Sequence, residues 1–379
     1  MSRFTSLGLA LAGLLSLAPA GLLAQGTDLN PDNTPYGTTS AEFLLFGAGA
    51  RGTALGDAFA AIATDVSSLY YNPGAASLIA GPGASFSTYD YVAETRYSWG
   101  GIAFPFSGGS RTFGLQVGTF GFDNQPVYTV DQPEGTGAVY SVSQTFAGAT
   151  LAQNFSDRFS AGLTAKFIFD QLGEVSGQAF AVDFGTSFHA ELNNHPIQLA
   201  FVIANLGTDL SYSGDALNVE VPRDPADPDV PPGNQPPELP QPAELSTKGF
   251  ALPTIFRVAL AYDLIAGETN RLTLLSDFNQ ANNNRAGFAG GGEWALSRLG
   301  GSNFGVALRG SYTYQPANNI EVDETQAETA LKDEENLQGL AFGGGLNYTA
   351  SDFSLGFDYA YRYMGVLGAT NFFTLSVGW

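Results

Sequence analysis

The glycines near residue 50 have the spacing of a dinucleotide-binding loop. Gly47, Gly49 and Gly52 fit G-x-G-x-x-G, between a short apolar run and a helix-like segment. In nucleotide-binding proteins this loop belongs to a βαβ unit of about 30 residues whose next strand is parallel. Here the segment runs into YYNPG and then into residues of alternating polarity. The sequence therefore argues against a dinucleotide site.

Residues for other catalytic chemistry are sparse. The chain has no cysteine, which excludes thiolate metal sites and thiol nucleophiles. It contains no G-x-S-x-G elbow, H-E-x-x-H helix or Walker loop. His189 shares the polar face of a predicted strand with Asp183, so a Ser-His-Asp arrangement stays open beside an ordinary hydrogen-bonded histidine. The sequence predicts no catalytic residue, cofactor or metal ion, with weak Ca2+ binding by acidic loops as the open alternative.

The composition is typical of an exported β-barrel. The 379 residues include 15 Lys and Arg against 36 Asp and Glu, and the net charge of -21 argues against a nucleic-acid partner. Charged residues make up 13%, well below the roughly 25% of ordinary soluble proteins. Arg3 and the Leu- and Ala-rich run after it predict a signal peptide over residues 1–24. No later run reaches the length of about 18 apolar residues that a membrane helix needs.

Alternation of apolar with small or polar residues predicts an all-β fold, a 14-stranded antiparallel transmembrane β-barrel over residues 83–379. Phe353, Leu355 and Phe357, for example, fall on one face, and the residues between them are small or polar. Most predicted strands exceed the usual soluble length of about 5–6 residues and reach the membrane length of about 9–11. The predicted strands are 83–93, 95–106, 110–121, 139–155, 158–171, 177–191, 195–206, 252–263, 269–280, 284–297, 301–315, 338–350, 352–363 and 369–379.

The lengths of the connections predict which end of the barrel lies outside. The long ones, 122–138, 207–251 and 316–337, all follow odd-numbered strands, whereas every connection after an even-numbered strand is short. Outer-membrane barrels have short periplasmic turns and long external loops, so both termini are expected in the periplasm. Loops 207–251 and 316–337 are acidic, and the first is rich in proline. They are interpreted either as solvated, mutually repelling loops or as a lid that docks a partner or gates the barrel.

The residues before the first strand predict a linker and a plug. Residues 25–40 are predicted to be a periplasmic linker, and residues 41–82 a helical hatch that folds back into the lumen. Within the hatch, Asp65 is placed to cap a short helix and Asn72-Pro73-Gly74 to end it. Apolar residues recur at helical spacing at Phe59, Ile62, Val66 and Leu69.

Arg51 and Asp57 are charged residues in the first half of the predicted plug. Inside a lumen each needs a partner, because an unpaired buried charge is costly. We therefore predict that they hold the plug against charges on the inward face of the wall. The inward charges are Lys166, Asp183, Arg257, Asp263, Arg271, Asp277, Glu293, Arg309, Asp358 and Arg362.

The stretch GARGTALGDAFAAIATDVSSLYYNPGAAS, residues 49–77, resembles the N-terminal signature of the PorV/PorQ family, within the FadL-like group of outer-membrane barrels. The wider resemblance covers residues 41–379 and includes an aromatic C terminus that serves as a barrel-assembly signal, with Trp in place of the commoner Phe. The matching residues of the signature are Gly49, Arg51, Gly56, Asp57, Asp65, Asn72 and Pro73, and those of the assembly signal are Phe373, Leu375, Val377 and Trp379.

The resemblance implies a hatch-containing barrel in the outer membrane of a Gram-negative cell, surrounded by lipid and inserted by the barrel-assembly machinery. PorV-like relatives act in type IX secretion, where they bind a large translocon and pass folded cargo to the surface-attachment machinery. FadL-like relatives move long-chain fatty acids or other hydrophobic molecules. The sequence favours the non-enzymatic secretion or surface-attachment function, with hydrophobic transport as the alternative and an outer-membrane hydrolase as the third possibility.

Overall fold

The wall of the barrel contains fourteen strands, and the described part of the chain has three short strands outside it. The computed structural model describes residues 34–221, 241–315 and 338–379. The wall strands in that part of the chain agree with the fourteen predicted ones, with ends shifted by a few residues. In chain order the strands are β1 (Gly83–Asp90), β2 (Arg96–Phe106), β3 (Arg111–Pro126), β4 (Val139–Ser156), β5 (Phe159–Leu172), β6 (Val175–Leu192), β7 (His195–Gly207), the short β8 (Tyr212–Gly214), β9 (Asn218–Val221) and β10 (Gln241–Glu244), then β11 (Ile255–Ala266), β12 (Asn270–Ala281), β13 (Gly287–Leu296), β14 (Phe304–Tyr314), β15 (Leu340–Thr349), β16 (Ser354–Tyr363) and β17 (Ala369–Gly378).

Neighbouring wall strands pair antiparallel and close a ring. Each wall strand pairs with the next along the chain, β7 pairs with β11, and β1 pairs with β17. The register places Ser85 opposite Ser376 at the closure and Glu293 opposite Arg309 between β13 and β14. A closed ring leaves no wall strand with an unpaired edge, which is what a strand protein needs in hydrocarbon.

The two faces of the wall differ in polarity, as the alternation of side chains along a strand requires. In β5, Leu163 and Phe167 point outward and are exposed, whereas Thr164 and Lys166 point inward and are buried. The same pattern recurs around the ring, so large apolar side chains cover the outer surface and polar ones line the lumen. An apolar band outside and a polar interior are the properties of a transmembrane barrel.

Long connections lie at one end of the barrel. Residues 127–138, 208–254 and 315–339 join β3 to β4, β7 to β11 and β14 to β15. We call this the long-loop end, and the end at Gly83 and Trp379 the short-turn end. The predicted acidic stretch 316–337 and the proline-rich centre of loop 207–251, residues 222–240, lie outside the described residues.

The plug (residues 41–82) contains two short α-helices, Ala50–Ala54 and Ser68–Tyr71, and two 3-10 turns, Glu42–Leu45 and Ala75–Leu78, in place of the predicted run of helical spacing through 59–69. Gly56 and Asp57 adopt φ angles of 64° and 62°, which interrupt a right-handed helix and turn the chain. Residues 55–62 therefore form successive turns. In the part of the chain that the structure describes, the helices are too short to cross a membrane.

The chain enters the lumen at the long-loop end. Thr39 forms a bridge with Ala251 of the β7–β11 connection, and the Ser40 amide donates to the Ala251 carbonyl at 3.0 Å. Asn283, between β12 and β13, donates to the Thr39 hydroxyl at 2.6 Å. The predicted linker was expected at the short-turn end, but its last residues lie at the opposite end, because the plug runs the length of the lumen before β1 begins. Residues 1–33, with the predicted signal peptide, lie outside the described residues.

Candidate functional site

The helix Ala50–Ala54 packs against one side of the wall. The Ala50 amide donates to Thr374 Oγ1 of β17 at 2.8 Å, and the Ser311 hydroxyl of β14 donates to the Ala54 carbonyl at 3.0 Å. A Cβ at Gly343 of β15 would lie 2.8 Å from the Ala54 Cβ, so the wall carries glycine where the helix approaches most closely. The plug is thereby fitted to β14–β17 through its backbone.

On the β5–β6 side the plug meets the wall through a turn. Asn72, Pro73 and Gly74 pack on Gly162 and Gly185, where a side chain would overlap the Pro73 carbonyl or the Asn72 amide. The Asn72 amide donates to the Thr186 carbonyl at 3.1 Å, and the Ser160 hydroxyl donates to the Gly74 carbonyl at 2.9 Å. We call these five packed residues, Asn72, Pro73, Gly74, Gly162 and Gly185, the glycine contact. It contains no charged group.

A chain of alternating charges connects the plug to β13, β14 and β16. Arg51 binds both oxygens of Glu293 at 2.8 Å and also contacts Asp65 of the plug at 2.8 Å. Arg309 binds the same Glu293 at 2.7 Å and pairs with Asp358 on its other side. We call these five residues the ion-pair network. Each arginine joins two carboxylates, so neither guanidinium is left for another anion.

Asp57 makes a second charged link between plug and wall. Its carboxylate accepts from Arg362 of β16 at 2.8 Å and from the Tyr71 hydroxyl at 3.0 Å. Among the inward charges, Glu293 thus bonds to Arg51 and Arg362 bonds to Asp57. Gly56 is placed beside it, and its carbonyl accepts from Thr313 at 3.1 Å.

A cavity of about 810 Å³ lies beside the ion-pair network at the short-turn end. Arg51, Asp65 and Glu293 form part of its lining, and Asp352 and Trp379 mark its open rim. Asp65 has 41% of its side chain exposed and Arg51 24%, so water in the cavity reaches this part of the network. The other members are more enclosed, with Arg309 only 3% exposed.

The long-loop end of the lumen is lined by aromatic rings. Phe46 of the plug packs against Tyr91 and Phe120 with ring centroids 4.7 and 5.1 Å apart. All three rings are half-buried. We call Phe46, Tyr91 and Phe120 the aromatic mouth. Deeper in the lumen, the rings of Tyr89 and Phe372 pack in a tilted arrangement with centroids 3.9 Å apart, so the apolar lining continues inward.

The remaining predicted lumen charges fall into three groups. Lys166 and Asp183 form a buried pair at 2.7 Å, and the Asn205 side chain accepts from Lys166 at 2.8 Å. Asp263 and Arg271 pair at 2.8 Å near the short-turn end, where 47% of the arginine is exposed. Arg257 and Asp277 are buried without such contacts.

His189 does not belong to a catalytic triad. Its Nε2 lies 3.1 Å from Ser187 Oγ, but Ser187 has no exposed surface that a substrate could reach. Asp183 lies six residues away along the same strand and is bonded to Lys166 and Asn205. No carboxylate in the described residues orients the imidazole as a triad requires. The described part of the chain also holds no cluster of His, Asp or Glu that could bind a metal ion.

Sequence reasoning missed two parts of this arrangement. Gly162 and Gly185 occupy inward positions of strongly alternating strands, and such glycines indicate close approach of another backbone. The aromatic mouth combines rings from the plug, a loop and β3, and no spacing in the sequence links them. The predicted assembly-signal residues Phe373, Leu375, Val377 and Trp379 are exposed at the end of the wall.

Comparison with known proteins shows the fold. No protein-family model matches the chain, and no curated protein matches it. The toluene transporter TbuX of Ralstonia pickettii superposes with a TM-score of 0.51 at 11% identity, over 88% of this chain and 98% of that one. The deltaS2 mutant of the TodX monoaromatic hydrocarbon channel gives 0.51 at 11% identity, over 87% and 97%. The Pseudomonas putida toluene transporter TodX gives 0.49 at 10% identity, over 88% and 96%.

Proposed function

We propose that the protein is an outer-membrane channel for hydrophobic small molecules, non-enzymatic, with its long-loop end outside the cell. The observation that carries the proposal is the division of the lumen. The plug separates the aromatic mouth at one end from the 810 Å³ cavity at the other. Aromatic rings favour an apolar molecule over water at the entrance. The cavity supplies a space for release on the periplasmic side.

The solved structures of similar fold support this proposal over secretion. Their names describe a toluene transporter and a monoaromatic hydrocarbon channel, which are functions of those proteins. This chain covers 98% of the first structure and 97% of the second. The PorV/PorQ interpretation rests on the motif in residues 49–77, and no contact of the described residues adds to it. Secretion partners therefore remain a prediction from resemblance.

In the proposed mechanism the plug moves on one side of the lumen. The Arg51–Asp65 end of the ion-pair network is hydrated from the cavity, so its contacts can be exchanged for water at modest cost, whereas Arg309 stays enclosed. The glycine contact is uncharged and sterically fitted, and it keeps the plug attached. Displacement of the helix Ala50–Ala54 away from β14–β17 would connect the aromatic mouth with the cavity.

A reversible cross-link tests the channel and its gate. A Cβ at Gly49 would lie 3.6 Å from Thr374 Oγ1, and Gly49 is extended at φ -169°, so Gly49→Cys with Thr374→Cys suits a disulfide. The chain has no cysteine of its own to compete. An apolar molecule crosses simple lipid vesicles unaided. Uptake of radiolabelled ethylbenzene is therefore measured in whole cells that lack other channels for hydrophobic molecules.

We expect uptake to fall to the level of cells without the protein when the pair is oxidised, and to return on reduction. The single variant Gly49→Cys is the control and should respond to neither treatment. Equal uptake with and without the unmodified protein would refute the channel. Equal uptake by the oxidised and reduced pair would refute the plug as its gate. Co-purification of a large translocon barrel from the native membrane would instead favour secretion.

A further inference from the structure

Arg257 and Asp277 form an unusual pair on the inward face of β11 and β12. The register places Arg257 opposite Asn279 and Asp277 opposite Ala259, so the two charges are diagonal neighbours on adjacent strands. Arg257 is 8% exposed and Asp277 is 1% exposed. Both side chains therefore project into the covered interior of the lumen.

Neither side chain has a bonding partner in the part of the chain that the structure describes. Both oxygens of Asp277 lack a hydrogen bond, and no Arg257 nitrogen comes within 4.0 Å of a described carboxylate oxygen. The other buried arginine of the wall, Arg309, binds two carboxylates. Burial of an unpaired ion is among the most costly arrangements in a protein, so this pair calls for a bonding partner.

The plug does not provide that partner. Asp57 is the plug acid whose charge acts on Arg257, and its two oxygens are already bonded to Arg362 and Tyr71. Tyr70 and Tyr71 are the other plug residues whose polar groups act on Arg257. On the wall, Val202 of β7 lies opposite Arg257 and is apolar. The pair is thus a buried polar spot beside an apolar position of the wall.

We propose that Arg257 and Asp277 bind the hydroxyl group of an uncharged, otherwise hydrophobic molecule such as an alkylphenol or alkanol. This inference rests on the proposed function and specifies its substrate class. A hydroxyl accepts a hydrogen bond from Arg257 and donates one to Asp277, so it satisfies both groups at once. A carboxylate would pair with Arg257 but would be repelled by Asp277 and Asp57. A pure hydrocarbon would leave both charges without a partner.

Three ligands that share one ethylphenyl group test the proposal by direct binding to the purified full-length barrel in detergent. They are 4-ethylphenol, ethylbenzene and 4-ethylbenzoate, which differ only in the group at one ring position. Because hydrogen bonds to charged groups are the strong ones, we expect 4-ethylphenol to bind roughly ten- to hundredfold more tightly than the other two. Equal affinity for 4-ethylphenol and ethylbenzene would overturn the proposal.

The double variant Arg257→Met with Asp277→Leu should lose the preference for 4-ethylphenol while still binding ethylbenzene. The single variants Arg257→Gln and Asp277→Asn, which keep the site polar, serve if the double variant does not fold; each should reduce the preference. The matched control is Lys166→Met with Asp183→Leu, which removes a buried pair that is already bonded and should keep the preference. If all of these variants showed the same preference for 4-ethylphenol over ethylbenzene, the assignment of the hydroxyl site to Arg257 and Asp277 would be wrong.

Uptake by cells separates this inference from the proposed function. Uptake of ethylbenzene together with equal binding of 4-ethylphenol and ethylbenzene would leave the channel standing and overturn the hydroxyl site. Preferential binding of 4-ethylphenol without uptake of either compound would support the site and overturn the channel. A structure determined with 4-ethylphenol should place its oxygen between the two side chains. Water molecules alone at that position would also overturn the proposal.

Discussion

The plug is joined to the wall at two places that differ in chemistry. The glycine contact is a backbone turn seated on Gly162 and Gly185, with no charge and no room for a side chain. The ion-pair network is a series of long charged side chains, partly hydrated from the cavity. The glycine contact is disrupted if a side-chain atom is added to a glycine, whereas the ion-pair network weakens whenever a charge is removed or hydrated. A plug held in these two ways can loosen at one side and stay attached at the other.

Loss of the central arginine of the ion-pair network should have the largest effect. Arg309→Met leaves Glu293 and Asp358 without a shared partner in a region where the arginine is 3% exposed. Removing one member of a buried ion pair costs about 3–5 kcal/mol, because the other charge stays buried. We expect that decrease in the free energy of unfolding, measured by urea titration of the barrel in lipid. A decrease smaller than that of Gly162→Ala would reverse the ranking of the two contacts.

Addition of one methyl group at the glycine contact should have the next largest effect. In Gly162→Ala the new Cβ would overlap the Pro73 carbonyl, so the turn must shift. Overpacking of this kind costs about 1–3 kcal/mol. The matched control is Gly310→Ala, on the outward face of β14, where a Cβ would meet nothing within 4 Å. Equal free energies of unfolding for the two variants in the same titration would show that the turn at Pro73 does not pack on Gly162.

Removal of Arg51 should loosen the plug more than it destabilises the barrel. Arg51→Ala deletes the contacts to Glu293 and Asp65, but Glu293 keeps Arg309. Because water reaches Arg51 and Asp65, we expect a loss of only about 1 kcal/mol. Leak of a small polar solute from liposomes should rise. The control Arg96→Ala removes an exposed pair at the long-loop end, 68% and 75% exposed, and should not change the leak. If the leak is unchanged in Arg51→Ala, Arg51 does not help to keep the plug closed.

Different parts of the molecule were predictable to different degrees, for physical reasons. The wall strands follow from the alternation of side chains, which is a local property of the sequence. The partnership of Arg51 and Asp57 with wall charges follows from the cost of burying an unpaired charge. The choice of Glu293 and Arg362 among ten inward charges does not follow, because it depends on how the plug is rotated within the ring.

The course of the plug was the least predictable part. Phe59, Ile62 and Val66 have helical spacing, but the residues around them in the plug are buried as well. The apolar residues therefore do not define one face of a helix. Gly56 and Asp57 turn the chain, and only Gly56 carried a local signal for that conformation. The entry of residues 39–42 at the long-loop end depends on contacts with Ala251 and Asn283, far away in sequence.

A third contact, at the entry of the plug, should show the smallest effect and a dependence on pH. Glu42 accepts hydrogen bonds from Thr39 and Asn283, and burial raises its pKa above the ordinary value of 4.5 although these bonds oppose the rise. A raised pKa means that the attached segment favours the protonated acid, so attachment weakens as the pH rises from 4.5 through the raised pKa.

The change should be small, on the order of twofold in the hydrogen-exchange rates of residues 39–45 between pH 4.5 and 7, after correction for intrinsic exchange. Glu42→Gln should abolish the dependence and keep the segment attached, since an amide also accepts from Asn283. Exchange that slows as the pH rises would show that the hydrogen bonds outweigh burial. In that case the entry contact would resemble the ion-pair network, which needs its carboxylates charged, and not the uncharged glycine contact.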